Sequence, residues 1–423
     1  MAHFGFLCPP YVSHIRTFEA LGEELVRRGH RATFILNAGG GRLVRAPWAR
    51  VAEASPRAGD PLADRVLRNA TRPGGLFGAM RTIRDGARLT GQLLASGPDL
   101  LRSLRVDAVV GDQLEPAAGL LAACLQLPHV SLACALPINP APGVPLPFLD
   151  WPYDPTPKGL NKAQGAERIG NLLMRPHFRV IEGWSRRQGM SGFRTLVDCL
   201  SGTAQISQVT RGFDFPRPDP IPFEAVGPIR PPSNSDLDQP LSFEPDGKRP
   251  LVFATMGTLQ GGRLHVFKAI ARACRATGAE LVVAHGGLLT ARQAASIDAD
   301  HVHGLLPQRA LLRRADLCVS HAGLNTTLDC LEAGLPQIVR PIAFDQKGAT
   351  ARLLSRGLGE RMAPLWNSRA LAEQIRRVLV DRGMRERCRA AAVEVAAAGG
   401  VGRAADIVEA ALQPAGSSRL ESP

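Results

Sequence analysis

The chain has 423 residues, 45% of them apolar and 21% charged, which excludes a disordered or collagenous protein and leaves material for two or three domains. Its net charge of +13 divides as +8 over residues 1–200, −2 over 201–250 and +7 over the remainder, so no basic tail or block carries it. Only five of the 51 basic residues are Lys, a bias toward arginine that accounts for much of the excess, and with 5% aromatics no nucleic-acid partner is expected.

The first apolar run, His3 to Cys8, stops at Pro9-Pro10 and reads as a buried strand. Ile15, Phe18, Leu21, Leu25 and Val26 then recur at helical spacing, Gly29-His30 ends that helix, and Arg31 to Leu36 reads as a second strand of a βαβ unit. Between strand and helix stands Pro9-Pro10-Tyr11-Val12-Ser13, without the G-x-G-x-x-G fingerprint of a nicotinamide-dependent oxidoreductase. Glu19, Glu23 and Glu24 fall inside the first amphipathic stretch and no basic start precedes an apolar run, so no signal peptide is expected and the chain is placed in the cytoplasm.

From Arg42 to Arg88 there are ten Arg against four acidic residues, with Trp48 and Phe77 among them. This stretch reads as an irregular insertion, either a solvated face or a peripheral contact with anionic lipid on the cytoplasmic face. Val106 to Gly111 and His129 to Ala133 are further strands, with an Ala- and Leu-rich helix from Pro116 to Leu125 between them. Residues 116–149 hold no Asp, Glu, Lys or Arg, yet Pro128 divides the run and more prolines fill its end, so neither piece reaches the roughly 20 residues of a spanning helix. Leu136 to Pro157 packs eight prolines with Phe148, Trp151 and Tyr153, which suits a rigid surface loop or the wall of an apolar channel.

Residues 214–250 contain ten prolines and read as an interdomain linker. The alternation then restarts: strand Leu251 to Met256, helix Leu264 to Thr277, strand Glu280 to Ala284, strand Leu317 to Ser320, helix Asn325 to Ala333 and strand Pro336 to Arg340. The predicted class is α/β, with two Rossmann-like doubly wound parallel sheets facing each other across a cleft. Residues 1–213 form the first domain in this reading and 251–400 the second, for which the resemblance given below implies acceptor binding and nucleotide-sugar binding respectively. Residues 401–423 form a C-terminal helix and tail that packs back on the first domain. Eight cysteines are scattered without a C-x-x-C pair, so neither a disulfide framework nor a zinc site is expected.

Chemistry concentrates in Gly304 to Gln346. His321-Ala322-Gly323-Leu324-Asn325-Thr326 joins a strand to a helix N-terminus, where free backbone N–H groups and the positive end of the helix dipole suit an anion such as a diphosphate. Asp329 follows on that helix, placed for ribose hydroxyls, and Asp345-Gln346 offers a carboxylate beside an amide for a hexose. His14, just past the first strand, and Asp112, at the end of the strand from Val106, reach one sheet edge, where Asp112 could orient His14 as a general base. Singly, each residue has an ordinary explanation as a cap, turn or solvated side chain. Their joint spacing favours function.

Leu305-Leu306-Pro307-Gln308, His321-Ala322-Gly323, Asn325-Thr326, Asp329 and Asp345-Gln346 resemble the donor-sugar signature of the UDP-dependent glycosyltransferases, a GT-B family. His3 to Pro10, Ser13-His14, Asp112 to Pro116, Ser131 to Pro137, Gly257 to Gly261 and Ala343 to Gln346 extend that resemblance over essentially the whole chain, toward the zeaxanthin glucosyltransferases of bacterial carotenoid pathways. The resemblance implies that His321, Gly323, Asn325, Thr326 and Thr258 meet the diphosphate, Gln308 and Asp329 the ribose, Asp345 and Gln346 the sugar. Leu305 and Leu306 would meet the base, with Leu305 standing where the family often has Trp. It further implies that His14 and Asp112 form the catalytic dyad, that UDP-glucose is co-substrate with no cofactor, and that a carotenoid is glucosylated with inversion. It implies no metal. Transfer to a macrolide, sterol or phenolic acceptor, and non-catalytic binding of a nucleotide sugar, remain alternatives. The sequence carries nothing on oligomeric state.

Overall fold

Each half of the chain alternates short buried strands with amphipathic helices, and each alternation closes into one parallel sheet. The computed structural model describes residues 1–54, 62–233 and 237–412. The first sheet holds β1 (His3–Leu7), β2 (Arg31–Asn37), β3 (Arg50–Ala54), β4 (Ala108–Asp112), β5 (His129–Ala133), β6 (Ala204–Ser207) and β7 (Glu224–Ala225), in the order β3-β2-β1-β4-β5-β6-β7. The second holds β8 (Leu251–Thr255), β9 (Glu280–Ala284), β10 (His301–His303), β11 (Leu317–Ser320), β12 (Gln337–Val339) and β13 (Gly359–Arg361), in the order β10-β9-β8-β11-β12-β13. Strand order reverses between β1 and β4 and again between β8 and β11. In such sheets a ligand crevice opens beyond the carboxyl ends of the strands at the reversal.

The first half supplies helices α1 (Val12–Arg27), α2 (Leu62–Ala70), α3 (Gly75–Leu104), α4 (Ala117–Leu125) and α5 (Pro157–Arg187). The second supplies α6 (Gly257–Gln260), α7 (Leu264–Thr277), α8 (Ala291–Ala295), α9 (Gln308–Leu312), α10 (Leu324–Glu332), α11 (Gln346–Ser355), α12 (Ser368–Val380), α13 (Arg382–Ala397) and α14 (Gly400–Ala410). β1 reads as an unbroken apolar run because helices cover both faces of its sheet and all five residues are buried. On one face Phe6 meets Phe18 of α1 and Phe34 of β2 edge-on, with ring centroids 5.3 and 5.6 Å apart. Each such ring contributes about 1.5–3 kcal/mol by leaving water. On the other face Leu93, Leu101, Leu121, Ile181 and Trp184 of α3, α4 and α5 form a second core.

The chain ends by crossing back. Gly399 adopts φ +89°, the Gly400 N–H donates to the Val226 carbonyl at 2.7 Å, and α14 lays Ala404, Ala405, Ile407 and Val408 into the core beneath α1. Arg28 bonds Asp406 and Glu409 at 2.7 and 2.6 Å across that contact. Of the tail expected over 401–423, residues 413–423 lie outside the described residues. A buried ion pair ties the halves elsewhere: Arg352 of α11 donates through Nε to Asp214 at 2.7 Å, and Arg217 donates to the other carboxylate oxygen at 2.7 Å.

Three expectations need correction. Arg42 to Arg88 is not irregular throughout: β3 extends the first sheet and α2 and the start of α3 follow, with residues 55–61 outside the described part. Trp48, read as part of a solvated face or a lipid contact, instead stacks on Phe34 at 6.1 Å, its indole filling the space over Gly22. The proline-rich stretch 214–250 is more than a linker, since β7 pairs with β6 and Phe215, Phe223, Val226 and Ile229 are buried. No helix among the described residues is long and apolar enough to cross a membrane.

Candidate active site

His14 is the third residue of α1 and Asp112 the last of β4, so both stand at the reversal point of the first sheet. Their side chains meet: His14 Nδ1 lies 2.7 Å from Asp112 Oδ2, and the other carboxylate oxygen accepts from the Leu114 N–H at 2.8 Å. The carboxylate thereby fixes the ring orientation and keeps the proton on Nδ1, leaving Nε2 as the basic nitrogen. Burial alone lowers the imidazole pKa, but the charge and hydrogen bond of Asp112, with Asp345 adding, outweigh it and hold the pKa above the ordinary 6.5. Cys134 lies beside the pair, its thiol pushed well up by burial and by the Asp112 charge. One ligand atom each from His14, Asp112 and Cys134 falls within 4.8 Å of the others, a set able to hold a divalent cation. A cation there would displace the Nδ1 proton and undo the dyad.

Tyr11, immediately before α1, places its ring 5.7 Å from His14 and 6.4 Å from Phe344 of the second half. Leu62, Val66 and Leu89 pack around it, giving the dyad an apolar flank.

The facing site lies at the reversal of the second sheet. β11 ends at Ser320; His321, Ala322 at φ +60° and Gly323 then turn the chain into α10, whose first N–H groups have no helical acceptor. The His321 ring lies between two glycines. A Cβ on Gly257 would approach it to 2.7 Å and one on Gly323 to 2.5 Å. Burial lowers the His321 pKa to about 4, and Nδ1 is buried with no hydrogen-bond partner. Such an orphan costs about 1–3 kcal/mol until a ligand satisfies it, so the site fits an anion's oxygen. Because the ring is neutral, His321 can offer a hydrogen bond but no positive charge.

Arg230, which sequence reasoning missed, brings a guanidinium to the start of α10. Its Nε donates to Asp329 Oδ1 at 2.7 Å, and the same guanidinium reaches Gln208 Oε1 at 3.1 Å and the Asn325 carbonyl at 3.2 Å. Arg230 sits in Gly227-Pro228-Ile229-Arg230 of the proline-rich stretch, where no motif marks it. Gln308 donates to the other Asp329 oxygen at 2.7 Å, so these two sequence-predicted residues are brought together. Thr326 is buried on α10, and Thr258 is exposed at the second position of α6. Leu305 is 59% exposed and free to meet a flat base, whereas Leu306 packs into the core around Phe253, leaving its backbone for a ligand.

Two residues are engaged differently from expectation. Asn325 donates to the Ser13 carbonyl at 3.0 Å, spanning the cleft to the turn that carries His14, which leaves the α10 backbone N–H groups as the donors able to meet an anion at that end. Gln346 spends its amide oxygen on the Ile342 and Ala343 N–H groups at 2.8 Å each, so only its amide hydrogens remain for a sugar hydroxyl. Asp345, after Phe344 at φ +56°, accepts from the Leu136 N–H at 3.2 Å and also bridges the cleft. Strained backbone at both Ala322 and Phe344 marks the two turns that line the site.

Residues 305–398 match the family model of the glycosyltransferase family 28 C-terminal domain. A zeaxanthin glucosyltransferase of Pantoea ananas is 37% identical over 414 residues, 97% of this chain and 96% of that protein. Another, of Pseudescherichia vulneris, is 38% identical over 417 residues, covering 97% of this chain and 98% of that one. Among solved structures, the calicheamicin glycosyltransferase CalG4 superposes with a TM-score of 0.73 at 22% identity, over 97% of this chain and 98% of that one, which bears out the two-domain fold. With two near-full-length relatives sharing more than a third of its residues, the chain belongs to the zeaxanthin glucosyltransferase family and is a glycosyltransferase of the GT-B fold.

Proposed function

We propose that the chain works from the cytoplasm and transfers glucose from UDP-glucose to the terminal hydroxyls of zeaxanthin, with inversion, to give zeaxanthin β-glucosides. The observation that carries this reading is the buried His14–Asp112 pair, 2.7 Å apart, on the acceptor side of a cleft whose other wall is an anion cradle. The family relatives add the acceptor, since the two near-full-length matches are zeaxanthin glucosyltransferases.

In this mechanism His14 Nε2 takes the proton from the acceptor hydroxyl while Asp112 holds the Nδ1 proton and stabilises the imidazolium. The acceptor oxygen forms its bond to the anomeric carbon from the face opposite the nucleotide. The bond to the diphosphate oxygen breaks, and its electron pair leaves on UDP. Backbone N–H groups at the start of α10 and neutral His321 stabilise that growing charge in place, and the Arg230 guanidinium joins them once it has left Asp329. Thr258 and Thr326 add hydroxyl donors, Gln308 and Asp329 engage the ribose after Arg230 shifts toward the diphosphate, and Asp345 with the Gln346 amide hydrogens orients glucose. Leu305 packs on uracil. With cationic and dipolar groups at the leaving diphosphate, the reaction needs no divalent metal.

The test is incubation of the protein, stripped with EDTA, with UDP-glucose and zeaxanthin in detergent micelles. Expected are pigments heavier by one hexose per modified hydroxyl, with β-anomeric coupling in their proton spectrum. Unchanged pigment alongside turnover of a phenolic or macrolide acceptor would reassign the substrate, and UDP binding without turnover of any acceptor would reduce the chain to a binder. Activity that disappears with EDTA and returns with a divalent cation would reject the metal-free mechanism.

A further inference from the structure

We infer that the outer face of α3 and α5, at their amino-terminal ends, docks on an anionic lipid bilayer. The inference rests on the lipophilic-acceptor reading for its purpose, but its geometry is independent of that reading.

α3 and α5 lie side by side on the first sheet and run in the same direction: a Cβ on Gly86 would meet His177, one on Gly91 would meet Val180, and Trp184 donates to the Leu94 carbonyl. Extrapolating this register places Phe77 level with the stretch around Arg168. There the surface is apolar where a soluble face should be polar. Phe77 is 90% exposed, Ile169 62% and Leu172 58%, and Phe148 of the neighbouring loop, 47% exposed, lies beside Gly170. Spacings of three and four residues set exposed Arg84 and Arg88 on the Phe77 stripe of α3, and Arg168 and Arg175 on the Leu172 stripe of α5. α5 carries seven basic against two acidic residues. On the neighbouring elements Asp64 is paired with Arg42, and Asp85 is buried.

Arg88 is held by Asp85 at 3.3 Å, whereas Arg84, Arg168 and Arg175 have no acidic partner among the described residues. Apolar side chains beside such arginines fit the boundary between acyl chains and anionic headgroups, where the rings and aliphatic groups enter the hydrocarbon edge and the guanidiniums meet phosphates. The placement also serves the reaction. The last turn of α3 bonds His3 at the start of β1, so its 30 residues carry the amino end past the carboxyl ends of the strands, the edge that holds His14. Twelve residues separate Phe77 from Leu89, which packs on Tyr11, a path of about 18 Å along the helix from the docking face to the dyad's apolar flank. A membrane-dissolved polyene with its hydroxyl at the tip could enter along that path without crossing water.

The experiment is co-sedimentation of the full chain with vesicles containing phosphatidylglycerol, and with vesicles of phosphatidylcholine alone, at low salt. Wild type should sediment with the anionic vesicles and stay in solution with the neutral ones. Phe77→Glu/Leu172→Glu and Arg84→Glu/Arg168→Glu should each lower partitioning by roughly tenfold or more while keeping the wild-type melting curve and turnover of micellar acceptor. Partitioning unchanged in both double variants, or equal on both vesicle types, would overturn the inference. So would a dimer in sedimentation velocity that Phe77→Glu/Leu172→Glu dissolves, because a second copy would then own the face. Vesicle binding without zeaxanthin turnover would overturn the acceptor reading and leave the docking face standing.

Discussion

Replacing Asp112 by Asn leaves size and shape almost unchanged and removes the charge 2.7 Å from His14 Nδ1. Two consequences follow from the geometry. The Asn amide can donate to Nδ1, which moves the ring proton to Nε2, the atom that must accept from the hydroxyl. The acid-base balance also inverts, because burial lowers the imidazole pKa and the Asp112 charge and hydrogen bond are the main causes raising it. A general base works unprotonated, so in wild type kcat/KM should climb with pH through an inflection above 6.5. In Asp112→Asn that inflection should fall below 6.5, and the plateau should drop on the order of 10²- to 10⁴-fold, or about 3–5.5 kcal/mol of transition-state stabilisation. The assay is initial rate of UDP release against pH at saturating micellar acceptor, with donor KM measured at each point. A plateau within about tenfold of wild type, or an inflection that does not move, would refute the dyad.

Arg230→Ala removes the cation on Asp329 and should raise the KM for UDP-glucose roughly ten- to a hundredfold, the worth of a charge-assisted bond of about 1.5–3 kcal/mol, while UDP titration calorimetry shows the matching loss. Gly323 has φ −62°, which alanine adopts freely, so the effect of Gly323→Ala comes from its Cβ driving into the His321 ring at 2.5 Å. UDP affinity should fall at least tenfold without a matching loss of thermal stability, and unchanged affinity would remove His321 from the diphosphate site. Asp214→Ala strands the buried Arg352 guanidinium and should cost about 3–5 kcal/mol in urea unfolding, with less loss for Asp214→Asn, which keeps a hydrogen-bond acceptor.

The strands at β1, β4, β5, β8, β9 and β11 were legible because both faces are covered and each is a short apolar run between breakers. α5 was not, since much of its first half faces solvent and its pattern lacks a continuous apolar stripe. β3 and β7 were hidden by their place at sheet edges, where arginine and proline neighbours are tolerated and burial leaves a weak signature. In the site, His14, Asp112 and the turn at His321 could be read because strand ends and helix starts fix where such residues stand. Arg230, Tyr11 and Cys134 could not, since their roles depend on which chain segments meet across the cleft. Nor did spacing reveal that Gln346 serves its own loop with one end, or that burial strips His321 of charge.

The return of α14 beneath α1 makes the first half of this chain dependent on its last residues during synthesis. A ribosome working at about 5–20 residues per second needs roughly 10–40 s to travel from residue 213 to residue 410. Throughout that interval the sheet side of α1 and β6 that receives Ile407 and Val408 stays uncovered, although the strands of its own sheet have long since emerged. The nascent first domain therefore keeps this apolar face open until α14 emerges, and a message truncated before α14 yields a product that retains it. Long sequence separation in that one contact also slows final closure relative to the second sheet, whose strands and helices all come from residues 251–397.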